Sequence, residues 1–328
     1  MPHNLFQDSM AFVGEVPWHG LGVQVPPSVT AAEMIRKANL DWKVSKVPAR
    51  GARIMGADAQ VYDRYLVIRD GARNERSSVD LAIVGAAYEP LQNSEAFAFF
   101  EPFIDNKWGQ FHTAGALGNG ERIWVLVKMN GQIRVDRDDA VDKFLLLSNS
   151  HDGTSAVTVR FTPIRVVCQN TLNYAMRRSS GVVSVRHTKH VAKNLAKAQA
   201  KKLKEVVDKV FADAEDLFGN MVARTLKASD TDRFLELLLP KTKNQKNENQ
   251  QPARWMRIKA ILDDSSVTPP QTRNTLWALY NAIVRDEDYR ATREAQADAR
   301  LERVWFGRGR DLKVKALKAA RRHLAKAA

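Results

Sequence analysis

Apolar residues recur at every second position through much of 42–167 and at every third or fourth position beyond about residue 185, so a strand-rich part precedes a helical one. Residues 1–27 follow neither period and are crowded with turn formers, which predicts an irregular start containing an ordered PWHGLG loop at 17–22. A first helix is predicted over 31–40: Thr30 and Glu33 form a capping box, and Met34, Ile35 and Ala38 share a face. Strands follow at 42–47, 52–55, 60–68 and 81–84, separated by Gly56, Asp70-Gly71 and a polar turn at 73–78. A short helix over 94–100 carries Ala96, Phe97 and Phe100 and is expected to end near Pro102. Residues 111–117 and 122–129 then make a hairpin across Gly118-Asn119-Gly120, extended by 133–135.

The stretch 144–175, FLLLSNSHDGTSAVTVRFTPIRVVCQNTLNYA, is the pivot of this pattern. Residues 144–147 and 156–161 are β-rich, and Asp152-Gly153 between them supplies the left-handed conformation a tight turn needs. Pro163 disfavours further central pairing, and Asn170 or Thr171 is placed to cap a helix beginning with Leu172, Tyr174, Ala175 and Met176. Strands 122–129, 144–147 and 156–167 are joined by short turns, which favours antiparallel neighbours and a β-meander with a helix on one face. The sequence has no αβαβ alternation and no GxGxxG or GxxxxGKS loop, which argues against a nucleotide-binding parallel sheet.

In the helical part, one long helix is predicted over 191–218 and is stopped or kinked by Gly219 and Asn220. Shorter helices follow at 231–239, 253–262, 270–284 and 291–305, with a basic terminal helix at 312–327 that Asp311 caps. The run 240–252 has no apolar residue and reads as a loop or linker. The expected fold class is α+β: an antiparallel β-meander packed with helices, in a domain spanning 1–180, followed by a basic all-helical domain over 181–328.

Composition narrows the function classes. At 328 residues and 44% hydrophobic content the chain has the length and make-up of a globular protein of two domains. It has no apolar run of about 18 residues to span a bilayer, and its first ten residues lack the pattern of a secretory signal. The single cysteine, Cys168, excludes an internal disulfide and suits a cytoplasmic location. Charge is uneven: residues 1–170 carry 18 basic and 19 acidic side chains, whereas 171–328 carry 33 and 18, a local excess of +15. Such asymmetry points to a polyanionic partner, most often nucleic acid.

Phosphate contact is therefore the leading candidate chemistry. Arg160, Arg165, Arg177 and Arg178, the ladder Lys193, Lys197, Lys201 and Lys204, and Arg308 and Arg310 ahead of the terminal helix supply cations; Asn170 and Asn173 add hydrogen bonds. Trp255, Trp277, Tyr280 and Trp305 lie among basic residues, where they suit either base stacking or core packing, with core packing the commoner outcome at helical spacing. The alternative is a nuclease or other hydrolase using His151, Asp152 and His19, with Asp-Gly first a turn former. His187-x-x-His190 has ligand-like spacing but no completing set, so no metal and no cofactor is expected, and Cys168 in an apolar run reads as a small buried residue.

The motifs PWHGLG at 17–22, SNSHDGTSAV at 148–157, TPIRVVCQNTL at 162–172 and WFGRG at 305–309 resemble the phage/plasmid-like protein family, a domain-of-unknown-function family of mobile elements. The resemblance implies a role in DNA metabolism and carries over no catalytic residue. At the level of fold, strands followed by a helix and a basic extension are similar to single-strand annealing recombinases of the RecT and Redβ kind. That likeness implies a non-catalytic binder and annealer of single-stranded DNA, acting in recombination or replication as a homo-oligomeric ring or filament. A host-directed adaptor or inhibitor docking through the basic helices is a further alternative.

Overall fold

A computed structural model of the chain describes residues 5–14, 21–49, 53–54, 57–58, 63–71, 78–137, 139–165, 170–171, 182–198, 201–240, 252–289 and 306–325. The fold is α+β. Its first strands and helices are β1 Leu5–Val13, β2 Val23–Val25, α1 Ala31–Lys37, β3 Val44–Pro48, β4 Arg53–Ile54, β5 Ala57–Asp58, β6 Arg64–Arg69, β7 Val79–Gly85, α2 Asn93–Ala98 and α3 Glu101–Asp105. The central strands are β8 Gly109–Leu117, β9 Arg122–Asp136, β10 Asp139–Ser150, β11 Val157–Phe161, β12 Ile164–Arg165, β13 Asn170–Thr171 and β14 Val182–Val185. Helices complete it: α4 Val191–Ala198, α5 Lys201–Ala223, α6 Ala228–Leu238, α7 Ala253–Asp263, α8 Leu276–Tyr289 and α9 Arg308–Ala325.

The chain gathers into two compact units that interleave along the sequence. One comprises Met1–Asn130, Phe144–Arg160 and Gly181–Val207; the other comprises Gly131–Lys143, Phe161–Ser180 and Asp208–Ala328.

In the first unit β8 and β9 form the predicted hairpin, in register from Gly109↔Met129 to Leu117↔Arg122. Gly115 on β8 lies under the Trp124 ring of β9, where a Cβ would strike that ring and the Ser9 carbonyl oxygen. β1 pairs antiparallel with β8 and parallel with β2, so the stretch expected to be irregular supplies two strands. Its Ser9, Met10, Ala11, Phe12 and Val13 are all buried, and pairing with a strand about a hundred residues away outweighs a weak local pattern. β3, β6 and β7 make a separate antiparallel sheet. α1 carries the expected capping box, with Thr30 Oγ1 accepting from Glu33 N and Glu33 Oε2 accepting from Thr30 N at 3.0 Å. The predicted helix over 94–100 is α2, Asn93–Ala98, and a second short helix, α3, follows it, with Pro102 in its first turn, where the missing N–H removes no hydrogen bond. Phe97, Phe99, Phe100, Phe103 and Phe111 are buried there: Phe100 meets Phe99 and Phe103 edge to face, and Phe97 packs at a tilt on Phe111, which anchors α2 and α3.

In the second unit β12 pairs with β10 at Val141↔Arg165 and Asp142↔Ile164, and β13 pairs with β12. Asn170 and Thr171 thus belong to a short strand and not to the cap of a helix; residues 172–176 lie outside the described residues. α5 runs through Gly219 to Ala223, because the packing of Phe218 against Trp277 (4.7 Å between ring centroids) and the burial of Met221 outweigh the glycine's low propensity. α8 is the buried centre: everything from Leu276 to Val284 is enclosed, and the Trp277 indole donates to Asp139 Oδ2 at 2.7 Å. Its last turn buries Asp286, Glu287 and Asp288. Arg254 forks between Asp286 (2.7 Å) and Glu287 (2.5 Å), Arg257 meets Asp286 at 3.1 Å, and fully enclosed Lys313 of α9 meets Asp288 at 2.7 Å.

Removing the cation from a buried pair strands the anion in a low-dielectric site. Lys313→Met is therefore expected to cost about 3–5 kcal/mol in urea denaturation, and Lys313→Met with Asp288→Asn is expected to recover most of the loss.

Candidate functional site

The end of β10 is polar and yet enclosed: Asn149, Ser150 and His151 have 0% exposure. The turn that follows is built by Asp152. Its Oδ1 accepts from the Thr154 amide at 3.0 Å, from the Thr154 hydroxyl at 2.7 Å and from the Ser150 hydroxyl, while Gly153 takes the left-handed φ of +74°. Burial acts to raise the Asp152 carboxyl, but the hydrogen bonds from Ser150 and Thr154 outweigh it and hold the group below the usual carboxylate value.

His151 points the other way, into the protein. Asn93 Nδ2 donates to the Leu40 carbonyl at 2.9 Å, which turns Asn93 Oδ1 toward His151 Nε2 at 3.0 Å. Nε2 is therefore the protonated nitrogen of a neutral ring. Burial, reinforced by the nearby His187 and opposed only in part by Asp152, pushes the His151 pKa down to about 3. Trp42 packs edge-on against the imidazole at 5.4 Å between centroids, and the Arg69 guanidinium lies 5.8 Å above the Trp42 ring. Fully buried Arg69 donates from Nε to the Asn119 carbonyl at 2.5 Å, and the His151 amide donates to the Glu121 carbonyl at 2.7 Å. Gly120 (φ +100°) passes so close that a Cβ would meet Arg69 at 3.1 Å.

On the outer side, the Tyr88 hydroxyl donates to the carbonyls of Ser150 (3.1 Å) and His151 (3.2 Å), and its ring stacks on His187 at 4.8 Å. Burial raises the Tyr88 hydroxyl and lowers the His187 imidazole, whose Nδ1 bonds the Glu89 carbonyl at 3.1 Å. His190 is exposed, so the His187-x-x-His190 spacing does not converge on one point. Among the described residues no group of three His, Cys, Asp or Glu side chains is placed to hold a metal ion. The corner therefore locks two turns, 118–120 and 152–154, to α2 and to the chain after α1. His151 and Asp152 bond separate sets of partners, and a ring with no exposed surface has no access to a substrate. Asn93, Tyr88, Trp42 and Arg69 carry no local motif that would have marked them; only their distant partners give them meaning.

The residues singled out from sequence are placed as follows. Lys193 and Lys197 are exposed on α4, Arg160 on β11 is half-buried, and Lys204 lies with its Nζ 5.7 Å above the Trp108 ring. For Arg165, Asn170 and Lys201 the structure places the backbone, in β12, β13 and α5. His19, Cys168, Asn173, Arg177 and Arg178 lie outside the described residues. Arg308 and Arg310 do not precede the terminal helix: α9 begins at Arg308, with Gly309 buried and Asp311 in the first turn, where its charge suits the helix dipole. Trp255, Trp277 and Tyr280 are buried in the second unit, which makes them core and not stacking platforms.

A histidine kept neutral by folding makes stability depend on pH. The unfolded ring binds a proton below about 6.5 while the folded one resists until about 3, so the contribution is complete above about 6.5 and is lost as pH falls toward 3, by about 1.4 kcal/mol per pH unit. The melting temperature is expected to drop across that window, and the slope to flatten in His151→Gln, read by calorimetry between pH 7 and pH 4.

No helix among the described residues is long and apolar enough to cross a membrane. No curated protein and no solved structure gives a significant match to the chain. The family model described as a domain of unknown function (DUF932) matches residues 80–305, which include β8 to β11, α4 to α8 and, of the buried corner, Tyr88, Asn93 and 149–154 but not Leu40, Trp42 or Arg69, and the chain belongs to that family.

Proposed function

We propose that the protein is a non-catalytic single-stranded DNA binding and annealing protein, acting in phage or plasmid recombination or replication as a homo-oligomeric ring or filament. The observation that carries the reading is the display of the basic surplus. Residues 171–328 hold a +15 excess, and Lys189, Lys193 and Lys197 in the first unit and Arg308, Lys315, Lys318 and Arg322 in the second point to solvent. Displayed cations of this kind bind phosphate by releasing condensed counterions, which needs neither a metal nor a nucleotide. The resemblance of the sequence motifs to those of mobile-element proteins, and the succession of strands, helix and basic extension, support the same reading. The sealed His151 corner fits it too, since an annealer needs a rigid scaffold and no reacting group.

Fluorescence anisotropy of a labelled oligonucleotide is expected to show tight binding at low salt, weakening along a log–log slope of about −0.7 per phosphate contacted. Complementary strands are expected to anneal faster with the protein than without it, in the absence of ATP and metal. Binding that ignores salt, or no acceleration of annealing, would sink the proposal.

A further inference from the structure

We infer that the solvent face of α9, with the cleft at its C-terminal end, is the surface that holds the single strand. The inference rests on the single-strand-binding reading and assigns it to one face. α9 presents two unlike sides. Lys313, Ala316, Leu317 and Ala320 are buried, and the Lys313–Asp288 pair at 2.7 Å fixes the rotation of the helix about its axis. Arg308, Lys315, Lys318 and Arg322 are exposed, and at 100° and 1.5 Å per residue they fall within an arc of roughly 80° along about 21 Å of helix. The one acidic residue on that side, Asp311, is met by Arg310 at 3.4 Å.

Two other helices that carry exposed cations, α4 and α5, have worse surroundings. Lys193 lines a groove whose opposite side carries Glu95, Glu101 and Asp105, which repel a phosphate chain. The exposed side of α5 in the second unit bears Asp213, Glu215 and Asp216, and these acids flank Leu217 and Asn220, so a phosphate chain is confined to the α9 side of the cleft that those residues line. Charge complementarity therefore singles out α9.

The stripe also leads into a recess. Leu217, Asn220, Ala223, Arg224, Arg321 and Leu324 enclose a cleft of about 520 Å³ between the ends of α5 and α9, next to Arg322. Leucine side chains give apolar faces, the guanidiniums of Arg224 and Arg321 give planar cationic ones, and the Asn220 amide offers a donor and an acceptor. Unpaired bases stack on such surfaces, whereas a duplex keeps its bases out of reach. Phosphates on the stripe and a base in the cleft together select a single strand.

The test uses the full chain, a labelled oligothymidylate and a duplex of equal length. Changing Arg308, Lys315, Lys318 and Arg322 together to Gln, with the fold checked by circular dichroism, is expected to shrink the salt slope for oligothymidylate by about 3 units, four contacts at about 0.7 each. Leu324→Asp is expected to weaken oligothymidylate binding several-fold and leave the duplex unchanged. If the natural chain binds oligothymidylate and the quadruple variant keeps its slope, the α9 assignment falls and the single-strand reading stands. If the natural chain binds no oligothymidylate but binds polyglutamate or phosphatidylserine vesicles, both fall. Equal losses on single strand and duplex in Leu324→Asp overturn the role of the cleft.

Discussion

A hydrogen bond from a buried, neutral imidazole to a buried amide is the contact on which the first unit's scaffold turns. His151 closes the end of β10, Asn93 opens α2, and the bond between them at 3.0 Å is oriented by the Leu40 carbonyl beyond α1. Away from water, breaking such a bond costs more than forming it contributes, and the corner already carries two buried atoms without a partner, His151 Nδ1 and Asn149 Oδ1, which raises the weight on the bonds that are made. The constraint then spreads: Trp42 must cover the ring, Arg69 must hold the carbonyl of Asn119, and Glu121 must present its own carbonyl to the His151 amide. Residues that look like a catalytic set in isolation are fixed by the demands of burial.

The second unit solves the opposite problem, keeping charge both inside and outside one helix. Lys313 and Lys315 are two positions apart on α9, yet one is sealed against Asp288 and the other stands in solvent. Net charge treats them alike. Arg254, Arg257 and Lys313 are taken up by the three carboxylates of α8, which cancels as many anions as cations and leaves the net excess of 171–328 unchanged. A count of lysines and arginines thus gives the sign of a surface but not its position.

What could be read in the sequence was local. The capping box at Thr30 and Glu33, the turn at 118–120, the strand-turn-strand around Asp152-Gly153 and the helix over 253–262 each depend on residues a few positions apart. What escaped depends on distance along the chain. β1 is a strand because β8 lies beside it; Asn170 and Thr171 extend because β12 offers them a ladder; Arg308 is helical because the interior receives Gly309 and Lys313. The site behaved the same way. His151 and Asp152 were visible as a pair, but the partner that decides the state of His151 is 58 positions earlier. The paired carboxylates of α8 gave no pattern at all until their cations were brought to them.

The interleaving of the two units bears on how the chain reaches its native state during synthesis. β14 and α4, which complete the first unit, emerge only after the ribosome has made 161–180, which belong to the second. Asp139 waits for Trp277, 138 positions later, and α8 closes only when α9 delivers Lys313. Neither unit is a single continuous segment, so the first stays incomplete until α4 is made, and the second until α9 is made. Such long-range closure slows folding, and it means that loss of α9 strikes the interior of the second unit and not merely its surface.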